Sequence, residues 1–166
     1  GTESKYFKNR FGDSKVVDNE GKPLVVYHGT TENFNEFKKS DIGFHFGTQN
    51  AAESRLLDNR GKLPIERYEN ITYQGKVMPV YLQLKNPLDI TSDIGDWNDL
   101  DSLKEYLGKD NYEVFTDEEL SKIKTINDMR KALQAKGYDG IVYENNFEDK
   151  GSKSYIAFSP SQIKSV

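Results

Sequence analysis

Short apolar runs with the two-residue alternation of β-strands lie at both ends of the chain, and most helical patterns lie between them. The predicted strands cover residues 15–17, 24–27, 43–46, 77–84, 141–143, 155–158 and 162–166. Strands and helices therefore do not alternate one by one, as they would in a βαβ sheet. The pattern predicts an α+β fold in a single domain over residues 1–166, long enough to bury a substantial core.

Helices are predicted from apolar spacing and from capping residues. They are expected at residues 3–11, 49–58 and 96–107, after a capping box that begins at Thr116, and after Thr125. Residues 18–21 (DNEG) predict the turn of a β-hairpin, and residues 60–70 show no periodicity and predict an exposed loop. Residues 34 and 37, both phenylalanine, are expected in a short ordered segment.

Composition and charge exclude several classes of protein. Charged residues make up 30% of the chain and hydrophobic residues 35%, which is typical of a soluble globular domain. The net charge of -4 argues against broad electrostatic binding of nucleic acid. No apolar run approaches the roughly 20 residues of a membrane helix, so no membrane partner is expected. The opening residues 1–4 (GTES) are typical of a cloning remnant or an excised boundary, so we expect this domain to be part of a larger protein.

A metal site is not expected. The chain has no cysteine and two histidines, which leaves carboxylates to complete any zinc site. The acids Asp93, Asp96, Asp99 and Asp101 match no calcium loop, and acids are common at the start of a helix. We interpret them as structural.

Both histidines of the chain lie in strand-like runs of similar sequence, VYHGT at 26–30 and FHFGT at 44–48. A glycine after the histidine lets the backbone approach a flat ligand and leaves its N–H and C=O available to an amide. Two such edges, with aromatic rings between them, would form a slot for a planar heteroaromatic ring. The alternative is that His28 closes a strand as an ordinary hydrogen-bonded polar residue. No GxGxxG follows a strand, so a Rossmann-type site is not supported.

Three motifs in order carry a family resemblance: VVYHGT, then GFHFGT with the small-residue helix QNAAESR, then SYIAFSPSQIKSV. Over about residues 14–166 the chain resembles the ADP-ribosyltransferase superfamily, in particular the ART-PolyVal-like domains of phage, prophage and polymorphic-toxin proteins. The poly(ADP-ribose) polymerase and diphtheria-toxin branch shares the order of motifs. The resemblance implies split antiparallel β-sheets with flanking helices, NAD as co-substrate without a metal, and transfer of ADP-ribose. It also implies a phage or toxin effector that acts in the cytoplasm of a bacterial or target cell.

Residue by residue, the resemblance implies that His28 hydrogen-bonds the adenosine-side ribose of NAD and that the Gly29 backbone holds the nicotinamide carboxamide. The implied NAD-binding set is His28, Gly29, Thr30, Phe44, His45, Phe46, Gly47, Thr48, Ser154 and Tyr155. The implied catalytic set is Glu148, His28 and His45. The stacking tyrosine of the polymerase branch has no counterpart, because residues 53–56 read ESRL. Phe44, His45 or Phe46 is therefore expected to wall the slot.

The catalytic glutamate of the polymerase branch is also replaced, because Ser154 stands at its position before the last motif. A carboxylate must then come from Glu144, Glu148 or Asp149. Glu148 is preferred, since Asn145 and Glu148 match the Asn-x-x-Glu of the related phage domains. Such a group would stabilise the oxocarbenium ion that forms when nicotinamide leaves ribose.

Two other functions remain open at this stage. A NAD glycohydrolase would use the same residues with water as acceptor, and a non-catalytic nucleotide-binding module is favoured by Ser154. Arginine-specific transferases carry a Glu-x-Glu pair, and Glu144 and Glu148 are too far apart to form one. Protein, nucleic acid and small-molecule acceptors all remain open, and the sequence predicts no oligomeric state.

Overall fold

The strands of this computed structural model, which describes residues 1–30, 41–61 and 76–166, form two separate sheets. In chain order the described elements are α1 (Lys5–Phe11), β1 (Val26–Thr30), β2 (Phe44–Phe46), α2 (Gln49–Gly61), β3 (Lys76–Leu82), β4 (Pro87–Ile90), α3 (Leu100–Leu107), α4 (Asp117–Ser121), α5 (Ile126–Ala135), β5 (Gly140–Glu144), β6 (Lys153–Ala157), a 3-10 turn (Pro160–Gln162) and β7 (Ile163–Ser165). The first sheet has the order β1-β3-β7 and the second the order β2-β6-β5-β4. The α+β prediction is confirmed.

The prediction of antiparallel sheets needs one correction. Among the strands that the structure describes, every pair is antiparallel except β4 and β5, which run parallel. The reason is the connection, because α3, α4 and α5 lie between these two strands in the chain and form the long crossover that a parallel pair requires.

Two apolar cores hold the sheets and helices together. One lies under α3 to α5 and contains fully buried Leu103, Met129 and Leu133 beside Ile141 of β5. The other joins the two sheets and contains Val80 from the first sheet with Phe44 and Tyr155 from the second. The second sheet therefore has one face toward each core, and alternate residues along β2, β5 and β6 point to opposite faces.

The predicted helix starts are largely confirmed. Thr116 and Thr125 each accept a hydrogen bond from a backbone N–H of the following turn within a complete capping box, and α1 lies where residues 3–11 predicted it. The helix predicted at 96–107 begins only at Leu100, because the Asp96 side chain accepts from the Asn98 N–H and forms a local turn. α2 continues to Gly61, so residues 60 and 61 belong to its last turn and not to a loop. Residues 62–70 of that predicted loop, and the segment with phenylalanines 34 and 37, lie outside the described residues.

The predicted hairpin is smaller than expected. The turn itself is present, since the Asp18 carboxylate accepts from the N–H groups of Glu20 and Lys22. The flanking strands meet only at an isolated bridge between Val17 and Pro23. Proline has no N–H to extend a ladder, and β1 pairs with β3 instead. Within the described ranges, no helix is long and apolar enough to cross a membrane.

Candidate active site

A cleft opens where the edge of the first sheet meets the second. The two sheets join at a bridge in which the N–H and C=O of Tyr27 bond the C=O and N–H of Gly47, at 2.8 and 3.0 Å. Beyond this bridge, β1, β2, β5, β6 and the first turns of α2 surround a common space. We call this space the cleft, and the lining residues on which the argument depends are Gly29, His45, Arg55, Tyr143, Glu148 and Ser154.

Gly29 gives the cleft a wall of main-chain polar groups. Main-chain groups two residues apart in an antiparallel strand point to the same edge, so those of Gly29 face the same way as those of Tyr27, away from β3. A Cβ added at Gly29 would lie 2.2 Å from the Ala52 main-chain oxygen. Only glycine therefore allows α2 to pack this closely against β1.

The first turns of α2 contribute a small and a charged side chain to the cleft. Thr48 caps the helix by accepting from the Ala51 N–H at 3.1 Å. Ala51 and Arg55 follow at a four-residue spacing, so they share the helix face that lines the cleft. The small alanine lets α2 pack closely against β1 and Gly47, and Arg55 places a guanidinium near Glu148, with 4.0 Å between Nη1 and Oε1.

The two histidines occupy different positions. The His28 ring makes a hydrogen bond through Nδ1 to the main-chain oxygen of His45, so Nδ1 carries the proton. Burial lowers the pKa of His28 to about 4, opposed by this hydrogen bond and assisted by the charge of Arg55. His45 is partly buried, and the burial of its ring, followed by the nearby charges of Arg55 and His28, holds its pKa well below its usual value. Among the described residues, His45 Nδ1 is a buried side-chain atom without a hydrogen-bond partner.

Buried Asn145 holds the loop that carries Glu148. Its Oδ1 accepts hydrogen bonds from the N–H groups of Phe147, Glu148 and Asp149, at 2.8 to 3.1 Å. Its Nδ2 donates to the Ser154 hydroxyl at 3.0 Å. This one amide therefore fixes the loop to β6 and holds the Glu148 side chain, which is 20% exposed, at the cleft.

A second contact ties the same loop to α2. The Thr48 hydroxyl donates to the Asp149 carboxylate at 2.5 Å. Thr48 is thus both the helix cap and an anchor for the loop. Asp149 has a structural partner here, whereas the exposed Glu144 lies at the end of β5.

Tyr143 forms the floor of the cleft on β5. It lies directly across from Ser154 in the sheet and is buried against the Trp97 ring, with 4.6 Å between ring centroids. Burial raises the pKa of the Tyr143 hydroxyl, and the charges of Asp93 and Glu148 raise it further. The phenol is therefore a neutral hydrogen-bonding group at physiological pH.

The structure brings six of the sequence-predicted residues to the cleft: Gly29, His45, Phe46, Gly47, Ser154 and Glu148. His28 acts on the cleft through the His45 main chain. Phe44 and Tyr155 pack in the core between the sheets, and Thr48 serves as a cap. Thr30 ends β1, and its side chain is not described.

Sequence reasoning did not assign Arg55 or Tyr143 to the site. Arg55 could have been found from its helical spacing after the small residues of α2, which places it on the same face. Tyr143 carries no such signal, because its position across from Ser154 depends on the register of β5 and β6. In the described part of the chain, no group of three or more His, Cys, Asp or Glu residues could hold a metal ion.

Two separate sheets around a cleft, with a carboxylate on a neighbouring loop, are typical of the ADP-ribosyltransferase class of folds. A comparison with protein families identifies the family within this class. Residues 18–166 match the family ART-PolyVal, described as ADP-ribosyltransferase in polyvalent proteins. The match covers nearly the whole chain, so the chain belongs to this family, as the motifs predicted. No match was found among curated proteins or among solved structures.

Proposed function

We propose that the chain is an NAD-dependent ADP-ribosyltransferase that breaks the bond between nicotinamide and ribose and passes ADP-ribose to an acceptor. The observation that carries the proposal is the position of Glu148, which faces the same cleft as the main-chain edge of Gly29. The main-chain edge of Gly29 suits an amide, and the Glu148 carboxylate suits the positive charge that develops on ribose. Family membership supports NAD as the co-substrate.

The polar groups that line the cleft complement the carboxamide of nicotinamide. The N–H and C=O of Gly29 on one strand edge complement the C=O and N–H of a carboxamide. The His45 ring lines the same space and is uncharged at neutral pH, because burial lowers its pKa. Small Ala51 and the apolar Phe46 line the cleft beside these polar groups. Binding would thus be held by backbone and uncharged groups, which suits a leaving group that departs neutral.

Glu148 supplies the negative charge that the reaction needs. As the glycosidic bond breaks, positive charge develops on the ribose, and a fixed carboxylate stabilises it more than it stabilises the ground state. Asn145 holds the Glu148 backbone through three N–H groups of the loop, so the carboxylate is positioned before substrate binds. Ser154, which replaces the usual glutamate, serves in this arrangement as a partner of Asn145.

The test is nicotinamide release from NAD by Glu148→Gln and by Glu144→Gln. Glutamine keeps the size of the side chain and removes the charge, so Glu148→Gln should lower turnover by about two orders of magnitude or more. The affinity for NAD should change little, because the charge acts mainly in the transition state. Glu144→Gln is the matched control, since it removes an exposed charge outside the cleft and should retain activity.

Two results would contradict this assignment. Full turnover in Glu148→Gln would exclude the carboxylate mechanism, and a wild-type chain that binds NAD without releasing nicotinamide would be a non-catalytic module. Release of free ADP-ribose with every acceptor offered would identify a glycohydrolase. The family description, which places such domains in polyvalent proteins, supports a role within a larger phage or toxin effector.

A further inference from the structure

The loop between β5 and β6 carries two adjacent carboxylates, and the structure gives them different surroundings. Glu148 lines the cleft, with 20% of its side chain exposed. Asp149 is not among the described residues that line the cleft, and its carboxylate accepts a hydrogen bond of 2.5 Å from the Thr48 hydroxyl. Thr48 lies at the start of α2. The loop therefore contacts α2 through one acid and faces the cleft with the other.

Other contacts of the loop hold it to the second sheet. Asn145 accepts from three loop N–H groups, which fixes the shape of the turn, and it donates to Ser154 of β6. On the other side, the Asn146 N–H donates to the Asp93 carboxylate in the segment after β4. Neither contact reaches α2, and the hydrogen bond between Thr48 and Asp149 adds an attachment there. This hydrogen bond therefore sets the orientation of the loop relative to α2.

Thr48 is suited to this contact because it caps α2. Its hydroxyl oxygen accepts from the Ala51 N–H at 3.1 Å, and its hydroxyl hydrogen is donated to Asp149. The first turn of α2 contains no acidic residue, so Asp149 supplies a negative charge at the positive end of the helix dipole. A hydroxyl that donates to a carboxylate forms one of the shorter and stronger hydrogen bonds in proteins. Hydrogen bonding and charge thus both hold the Asp149 side chain at α2.

We propose that Thr48 and Asp149 are positioning residues, whose hydrogen bond orients the loop so that Glu148 faces the ribose of NAD in the cleft. The inference rests on the proposed function, since it concerns the carboxylate assigned there. Glu148 and Asp149 are neighbours in one turn, so a rotation of the loop that moves one acid also moves the other. A displacement of about 1 Å can lower a rate by up to about 10²-fold. Both residues thus act through Glu148.

The first test is nicotinamide release by variants of the two residues. Asp149→Ala removes the contact and leaves the Thr48 cap in place. Turnover at saturating NAD should fall about ten-fold, while KM for NAD changes by less than about two-fold. Thr48→Val removes the hydroxyl and should lower turnover similarly, whereas Thr48→Ser keeps the hydroxyl and should retain it. Unchanged turnover in Asp149→Ala, or a rise in KM as large as the fall in turnover, would overturn the proposal.

A double variant and a matched control separate positioning from loss of a helix cap. In the Asp149→Ala background, Thr48→Val should lower turnover no further, because the contact is already absent. Thr125→Val removes a similar cap from α5, where Thr125 accepts from the Asp128 N–H at 3.0 Å. Thr48→Val and Thr125→Val should each lower the midpoint of thermal unfolding by about 3 °C, and Thr125→Val should leave turnover unchanged. Falls that multiply in the double variant, or an equal fall in Thr125→Val, would contradict the positioning role.

Amide hydrogen exchange reports on the loop without catalysis. The N–H groups of residues 147–149 should exchange about ten-fold faster in Asp149→Ala and Thr48→Val, and at the wild-type rate in Thr125→Val. A fall in turnover with unchanged exchange would overturn the proposal, because the loop would have kept its position. No nicotinamide release by the wild type would overturn the proposed function and the catalytic role of the contact together. The exchange rates would still decide whether Thr48 and Asp149 hold the loop.

Discussion

The two histidine-glycine runs that look alike in the sequence have different environments in the structure. In VYHGT of β1, the His28 ring bonds the His45 main chain and packs against the Phe46 ring, with 5.2 Å between centroids. In FHFGT, the His45 ring itself lines the cleft and is partly buried. The glycines also differ, because Gly47 uses its main-chain groups in the bridge to Tyr27, whereas those of Gly29 face the cleft.

The difference comes from one residue of spacing. Side chains along a strand alternate between faces, so a histidine and the next residue point to opposite faces, and residues two apart share one. His28 directly precedes Gly29, which puts the ring and the glycine surface on opposite faces. His45 and Gly47 are two residues apart and share the face that lines the cleft, whereas the ring of Phe46 between them packs in the core and against His28. Two runs with the same residue types thus present a backbone in one case and an imidazole in the other.

Alanine substitutions at Gly29 and Gly47 should show the largest difference in stability between the two runs. At Gly29 the new Cβ would meet a main-chain oxygen at 2.2 Å, and α2 would have to move away from β1. Gly29→Ala should therefore cost about 3 kcal/mol of the free energy of unfolding. At Gly47 the contacts are 3.1 Å to the Ala51 Cβ and 3.2 Å to the Ser154 Oγ, so Gly47→Ala should cost about 1 kcal/mol. Urea unfolding measures both, and equal losses would contradict the close packing assigned to Gly29.

Asn145, which holds the Glu148 loop, lies beside the second run. Its removal tests whether that run's surroundings serve catalysis as well as stability. Asn145→Ala leaves three loop N–H groups without their acceptor, which should cost about 2 kcal/mol of unfolding free energy. Nicotinamide release at saturating NAD should fall while NAD affinity is largely kept, because Asn145 acts through the position of Glu148. Asn146→Ala, at the exposed neighbour, is the control for both measurements. A loss of stability without a fall in turnover would mean that Asn145 is structural only.

The sequence predicted the elements better than it predicted the roles of single side chains. The capping box at Thr116 and the helix start at Thr125 were recognisable because the residues that cap a helix lie within one turn of it. Ser154 was recognised as a departure, but its partner Asn145 is nine residues away across the β5–β6 loop, and their contact depends on how that loop folds back. Tyr143 and Trp97 come together only through the register of β5 and the local turn at Asp96. Such contacts depend on packing between distant segments, which periodicity does not contain.

The smallest expected effect concerns the His28 ring of the first run and the stability of the fold at acidic pH. The pKa of His28 falls from 6.5 to about 4 on folding, so the unfolded chain binds more protons between these values and stability falls as pH falls. Because His28 is partly exposed, we expect it to account for a loss of about 1 kcal/mol between pH 7 and pH 5. His28→Gln keeps a donor for the His45 oxygen and does not titrate, so thermal unfolding of this variant should lose less stability over the same range. His45 is present in both proteins, and the variant also removes the effect of the His28 charge on the pKa of His45, which acts in the same direction. Equal acid sensitivity of wild type and variant would show that His28 is not buried as the structure has it.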